Sequence, residues 1–176
     1  MVKMSLILQQ THHKMKCSIF ISLLFLTSIV FVKANTTGQG FDKAGFYAAM
    51  SSEKMDEINT QLAIIKGSSI NEKEAYEGAL LMKKAGLASS AKEKLSLFKA
   101  GRSKLESSIS KDVNNTEYRF LRVIIQEHAP RIVKYRSELD EDSKLVQINF
   151  KNLPQFLQQV IIDYSKKSKV IKISQA

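Results

Sequence analysis

The sequence predicts an all-α domain built from antiparallel helical hairpins, stacked as an open array or closed as an irregular bundle. Three observations predict it. Apolar residues recur at intervals of three and four in one segment after another, and no stretch alternates with period two long enough for a sheet. Both prolines, Pro130 and Pro154, fall between periodic segments, and no glycine follows Gly101. Serine or asparagine with glutamate three residues later recurs where a periodic segment begins, which is the signature of a helix start.

The first two helices are expected over Phe41–Met50 and Ser52–Lys66. Met55, Ile58, Leu62 and Ile65 make one apolar face of the second. Gly67 stands where a left-handed C-terminal cap is needed. Ser69 and Glu72 form an S-x-x-E capping box for a third helix over Asn71–Ala85, which offers Tyr76, Ala79, Leu80 and Met82 to the core. Gly86-Leu87 closes it in the manner of a Schellman cap. Ser90 and Glu93 open a fourth helix that reaches Lys111, with Leu95, Phe98, Leu105 and Ile109 on one side. Asn114, with Glu117 three residues on, caps a fifth over Thr116–His128. That helix has only a narrow polar stripe and is expected to lie centrally. Pro130 breaks it. Ile132–Phe150 carries Val133, Leu139, Leu145, Val146 and Ile148. Asn152 and Pro154 start a last helix with Phe156, Leu157, Val160, Ile161 and Tyr164.

The N-terminus carries a different pattern. Met15-Lys16 precedes an apolar run from Cys17 to Val32, and Val32-Lys33-Ala34 supplies small or aliphatic groups at the −3 and −1 positions. This order reads as a secretory signal peptide over residues 1–34, with Met15 as an alternative start. An uncleaved anchor is the alternative, although a spanning helix needs roughly 20 apolar residues. Residues 35–40 form a flexible lead-in, 41–165 a single α-helical domain and 166–176 an exposed basic tail carrying Lys166, Lys167, Lys169 and Lys172. Loss of the leader removes Lys3, Lys14, Lys16 and Lys33 from the 27 lysines and arginines, leaving 23 against 17 acids. Cys17, the sole cysteine, leaves too, so the mature chain has no disulfide, thiolate nucleophile or cysteine metal ligand. Export and modest charge argue against a nucleic-acid partner.

Two stretches carry a resemblance. Glu74-Ala75-Tyr76-Glu77-Gly78-Ala79-Leu80-Leu81 resembles the first helix of a tetratricopeptide-like hairpin, with a small Gly-Ala pair where helices pack closely. Leu105 to Leu121, with Asp112-Val113-Asn114-Asn115 in the middle, resembles the turn between such repeats. Val113 stands where that turn usually has proline, and at most one and a half repeats can be traced, where a stable array needs about three. Through Glu74–Leu87, Glu117–Pro130 and Val160–Ser168 the chain also resembles the small secreted helical proteins of Bacteroidota-type bacteria. That resemblance implies a setting, the periplasm or cell envelope, and no activity.

Candidate chemistry is sparse. Arg119, Arg122 and Gln126 fall at i, i+3 and i+7 of the fifth helix, with Arg131 just beyond it. Guanidiniums on one face suit a carboxylate or phosphate ligand. They suit equally well a pairing with Glu77 or Glu106 of neighbouring helices, since buried arginine must find partners. Glu127 beside His128 would be the acid–base pair of a cryptic hydrolase, while His128 alone is a helix-terminal cation favoured by the dipole. Glu138, Asp140, Glu141 and Asp142 read as a solvated helix start, without the glycine and spacing of a calcium loop. The tail lysines could touch anionic lipid or polysaccharide. No nucleophile elbow, phosphate loop or dinucleotide fingerprint occurs, and one mature histidine without cysteine does not suggest zinc. The expectation is therefore a non-enzymatic envelope protein without cofactor or metal. It binds or scaffolds another envelope protein, with an anionic ligand or surface as the alternative and a hydrolase as the third.

Overall fold

The structure, a computed structural model, describes residues 40–173. The signal peptide expected at 1–34 and nearly all of the expected lead-in at 35–40 lie outside the described residues. Within them the chain forms seven α-helices and no strand: α1 Lys43–Ser51, α2 Met55–Gly67, α3 Lys73–Leu87, α4 Ala91–Lys111, α5 Thr116–His128, α6 Leu139–Asn149 and α7 Gln155–Ser165. Two single-turn 3-10 segments, Arg131–Val133 and Phe150–Asn152, sit between the last three. Adjacent helices pack antiparallel in pairs such as α2 with α3 and α4 with α5, in keeping with the hairpin pattern. No described helix is long and apolar enough to cross a membrane.

The tightest pairing is α3 against α4, and two glycines permit it. A Cβ on Gly78 would stand 2.7 Å from both the Gly101 carbonyl oxygen and the Leu105 nitrogen. One on Gly101 would stand 2.5 Å from the Gly78 oxygen and 2.9 Å from the Met82 nitrogen. The helices thus touch backbone to backbone, which only residues without a side chain allow. The small Gly-Ala pair marked this contact in the sequence. Its partner glycine on α4 did not stand out.

The core gathers Phe46, Tyr76, Ile58, Ile65, Leu80, Leu105, Phe120, Leu121, Val146 and Ile161. Aromatic rings stitch it together: Phe46 meets Tyr76 at 4.4 Å between centroids and Phe120 meets Tyr164 edge-on at 5.4 Å. Helix α5 contributes eight buried residues out of thirteen, in keeping with the central place expected of it.

Several local expectations are corrected. Ser69 and Glu72 form no capping box; Glu72 itself precedes α3 and makes no side-chain cap bond. Gly67 and Gly86 are ordinary helical residues, and no described glycine has a positive φ. The carbonyls near the end of α2 are met instead by Ser68, whose hydroxyl donates to Ile65 O, and by the Lys73 ammonium, which donates to Lys66 O and Ser68 O. Ser90 does cap α4, accepting from the Glu93 N–H. The cap of α5 is Asn115, not Asn114: its side chain accepts from the Tyr118 N–H at 3.1 Å. Leu95, which shares one side of its helix with Phe98, Leu105 and Ile109, is 51% exposed, and Ile148 of the 132–150 segment is 78% exposed.

Candidate functional site

The three α5 residues do converge. Arg122 lies side-on against Asp142 of α6, with Nε 2.6 Å from Oδ2 and Nη2 3.0 Å from Oδ1. Its Nη1 donates to Glu106 of α4 at 2.8 Å. Arg119 donates through Nη1 to the same Asp142 Oδ1 at 2.8 Å, and through Nε and Nη2 to the Val113 carbonyl. Gln126 donates from Nε2 to Glu138 at 2.8 Å, while its buried Oε1 has no partner. Tyr135, almost fully buried, closes the group by donating its hydroxyl to the other oxygen of Glu106.

The arrangement sets two guanidiniums among Asp142, Glu106 and Glu138, with the exposed Glu141 3.6 Å from Arg119 Nη1. Asp142 has no exposed surface and Arg122 only 4%. Burial alone would lower the Arg122 pKa, but the hydrogen bonds and charge of Asp142, followed by the charge of Glu106, drive it upward. The Tyr135 hydroxyl is pushed up by burial and then by Glu106. Each nitrogen of Arg122 already donates to a carboxylate of the chain, and the side chain is nearly buried, which leaves an external anion little room to approach it. Such charge-assisted, bidentate pairs are among the stronger hydrogen bonds in proteins.

Other expectations resolve as follows. Arg131 is exposed in the 3-10 turn and stands apart from the stripe. Of the two proposed acid partners, Glu106 is engaged and Glu77 is not, because Glu77 pairs with Lys104 at 2.9 Å. The acidic helix start is only partly solvated: Asp140 and Glu141 are exposed, whereas Asp142 turns inward and Glu138 accepts from Gln126. Burial raises the Glu138 pKa, yet hydrogen bonds from Ser137 and Gln126 leave it below its ordinary value. No group of three or more His, Cys, Asp or Glu among the described residues could hold a metal ion.

Glu127 and His128 point to different tasks. His128 is exposed, its Nδ1 2.9 Å from the Ile124 carbonyl one turn back. Glu127 instead accepts from the Tyr164 and Ser168 hydroxyls, both at 2.7 Å, and from the Lys169 N–H. This corrects the exposed tail. The four lysine residues do face solvent, but Ser168 and Ile171 between them are buried, and the Ser168 hydroxyl accepts the Val170 and Ile171 N–H groups. Burial raises the Glu127 pKa, but the three hydrogen bonds outweigh it and hold the group below its ordinary value of 4.5. A carboxyl depressed in the folded state contributes stability above its unfolded pKa and loses it as pH falls through the lower folded value. Acidification below about 4.5 is therefore expected to loosen the 168–173 segment. Hydrogen exchange at the Lys169 and Ile171 amides measures this, and Glu127→Gln should show the same release at neutral pH.

Sequence reasoning missed a third carboxylate centre. Glu117 is no capping partner; it accepts from Tyr47 at 3.0 Å, Tyr76 at 2.8 Å and the Lys43 ammonium at 2.8 Å. It ties α1, α3 and α5 together. Burial, then the charge of Glu117, raises both tyrosine pKa values. Glu117, Glu106 and Glu127 thus share one device, a tyrosine hydroxyl from a neighbouring element resting on a glutamate. Each of these carboxylates accounts for its neighbours as a tie between elements.

The outer face of α6 carries a further surface feature. Glu141, Lys144, Leu145, Ile148 and Asn149 line a shallow hollow there. The opposite face of the same helix buries Asp142, Ser143 and Val146. Comparison with protein-family models, with curated proteins and with solved structures finds no match.

Proposed function

We propose that this chain is an exported, non-enzymatic helical domain that binds another protein of the cell envelope through the outer face of α6. The observation that carries the reading is Ile148, 78% exposed in the last turn of that face near Leu145. An exposed isoleucine alone is ordinary surface, but one seated with a leucine in a hollow and rimmed by charge has the composition of a contact site. Its fitting occupant is an amphipathic helix with an apolar ridge, carrying a cation opposite Glu141 and an acid opposite Lys144. The internal pairing of Arg122, Glu106, Glu117 and Glu127 supports a binding role over catalysis, since each group is already committed to a structural tie.

Ile148→Asp tests the proposal. Because Ile148 lies outside the core, the change is expected to leave stability within about 0.5 kcal/mol. The expected outcome is loss of the specific crosslinked complex from native envelopes, with the thermal midpoint unchanged. Retention of that complex by Ile148→Asp would remove α6 as the site. Loss of His128 (His128→Ala) is expected to change nothing in the same assay.

A further inference from the structure

Helix α4 concentrates the positive charge of the domain. From Ala91 to Lys104 it holds five lysines and arginines and a single acid, Glu93. Lys104 pairs with Glu77, but Lys92, Lys94, Lys99 and Arg102 make no ion pair among the described residues. Lys92, Leu95, Lys99 and Arg102 fall at i, i+3, i+7 and i+10, so they form one stripe along about 15 Å of helix. Residues 91–96 are all exposed, and Leu95 sits in the middle of the stripe at 51% exposure.

A second element joins this face. The ring of Tyr135 meets Phe98 edge-on at 5.6 Å and lies beneath the Arg102 guanidinium, 4.7 Å from its carbon. These contacts pin the 131–136 segment beside α4. That segment carries exposed Arg131, Lys134 and Arg136 and the most exposed large apolar residue described, Ile132 at 88%. Lys134 holds a left-handed backbone at φ 45°, which turns the chain sharply after Ile132.

We propose that this face is a peripheral docking surface for a lipid bilayer carrying anionic headgroups. Cations around a protruding apolar residue are the composition that such a surface selects: the cations draw the protein to the headgroups and the apolar tips enter the acyl boundary. Each lysine or arginine close to an anionic leaflet strengthens binding by about fivefold. The preference for lipid over nucleic acid rests on the export reading and on Leu95 and Ile132, which a phosphate backbone would leave without a role. Both proposals rest on export, but the site is separate from the α6 hollow, so loss of the protein contact at α6 leaves the lipid surface standing.

The chain has no tryptophan, so Leu95→Trp places a single reporter in the stripe. The exported protein carrying it is mixed with vesicles of phosphatidylcholine alone or with added phosphatidylglycerol. A blue shift of emission and co-sedimentation are expected only with phosphatidylglycerol, and both should weaken as salt rises. The pair Lys92→Glu and Lys99→Glu is expected to weaken binding at least about tenfold. The same reversal at Lys166 and Lys167 should change it by less than about twofold, with helicity checked in each variant. An unmoved emission, equal binding to neutral vesicles, or a larger loss from the tail reversal overturns the proposal. Salt-sensitive binding to duplex DNA without vesicle binding overturns it in favour of nucleic acid.

Discussion

Asp142→Ala is expected to destabilise the domain by about 3–5 kcal/mol, the largest effect of any single polar substitution. The carboxylate is fully buried and receives three hydrogen bonds from two guanidiniums. Its removal leaves the nearly buried Arg122 with Glu106 alone, and the uncompensated charge is what costs so much. The size of that loss does not measure what the pair adds to stability. Replacing both partners, Arg122→Met with Asp142→Leu, is expected to recover most of it, because paired burial is nearly offset by desolvation. Chemical denaturation of the two variants checks both statements. If Asp142→Ala instead unfolds within about 1 kcal/mol of the wild type, the cluster is not a closed network.

Gly78→Ala is expected to cost about 3 kcal/mol despite the better helix propensity of alanine. Two effects compete. In an unobstructed helix the change stabilises by roughly 1 kcal/mol. At Gly78 the new methyl would meet backbone atoms at 2.7 Å on α4, and backbone cannot rotate aside as a flexible side chain does. Overpacking therefore wins, and α3 and α4 must separate along their contact. Gly101→Ala should behave alike, since its methyl would meet the Gly78 carbonyl oxygen. Gly86 supplies the control. It is helical with nothing within 4 Å of an added Cβ, so Gly86→Ala should raise stability by up to about 1 kcal/mol. Opposite signs at Gly78 and Gly86 in one thermal-melt series would isolate the close crossing as the cause.

Periodicity and punctuation made the helices legible. Pro130 and Pro154 mark where α5 ends and α7 begins, and the short breaks at 88–90 and 112–115 fall close to where they were read. Caps were less legible because they depend on neighbours. Lys73 reaches back to the carbonyls near the end of α2, so Gly67 need not turn left-handed. Leu95 shows another limit: its spacing relative to Phe98 suits a core position, but burial also requires a second element above it.

The stripe of Arg119, Arg122 and Gln126 was legible, and so was Glu106 as a partner. The decisive Asp142 was hidden among four acids, although a signal was present. Leu139, Asp142, Ser143 and Val146 share one helical face, and an aspartate inside an otherwise inward-facing stripe must find a buried cation. The tie through Glu117 had no such signal. Tyr47 and Tyr76 come from 70 and 41 residues away, a proximity that only the packed helices create.

A photo-crosslinking residue at Ile148 in the protein expressed in its own cells, followed by mass spectrometry, tests the binding role most directly. An exposed position on α2, Asn59, serves as the comparison. The expected result is one reproducible protein adduct from Ile148, absent from Asn59, on a chain whose first residue is Asn35. No adduct at Ile148, the same adducts from both positions, or a chain that retains its leader in the cytoplasm would contradict it.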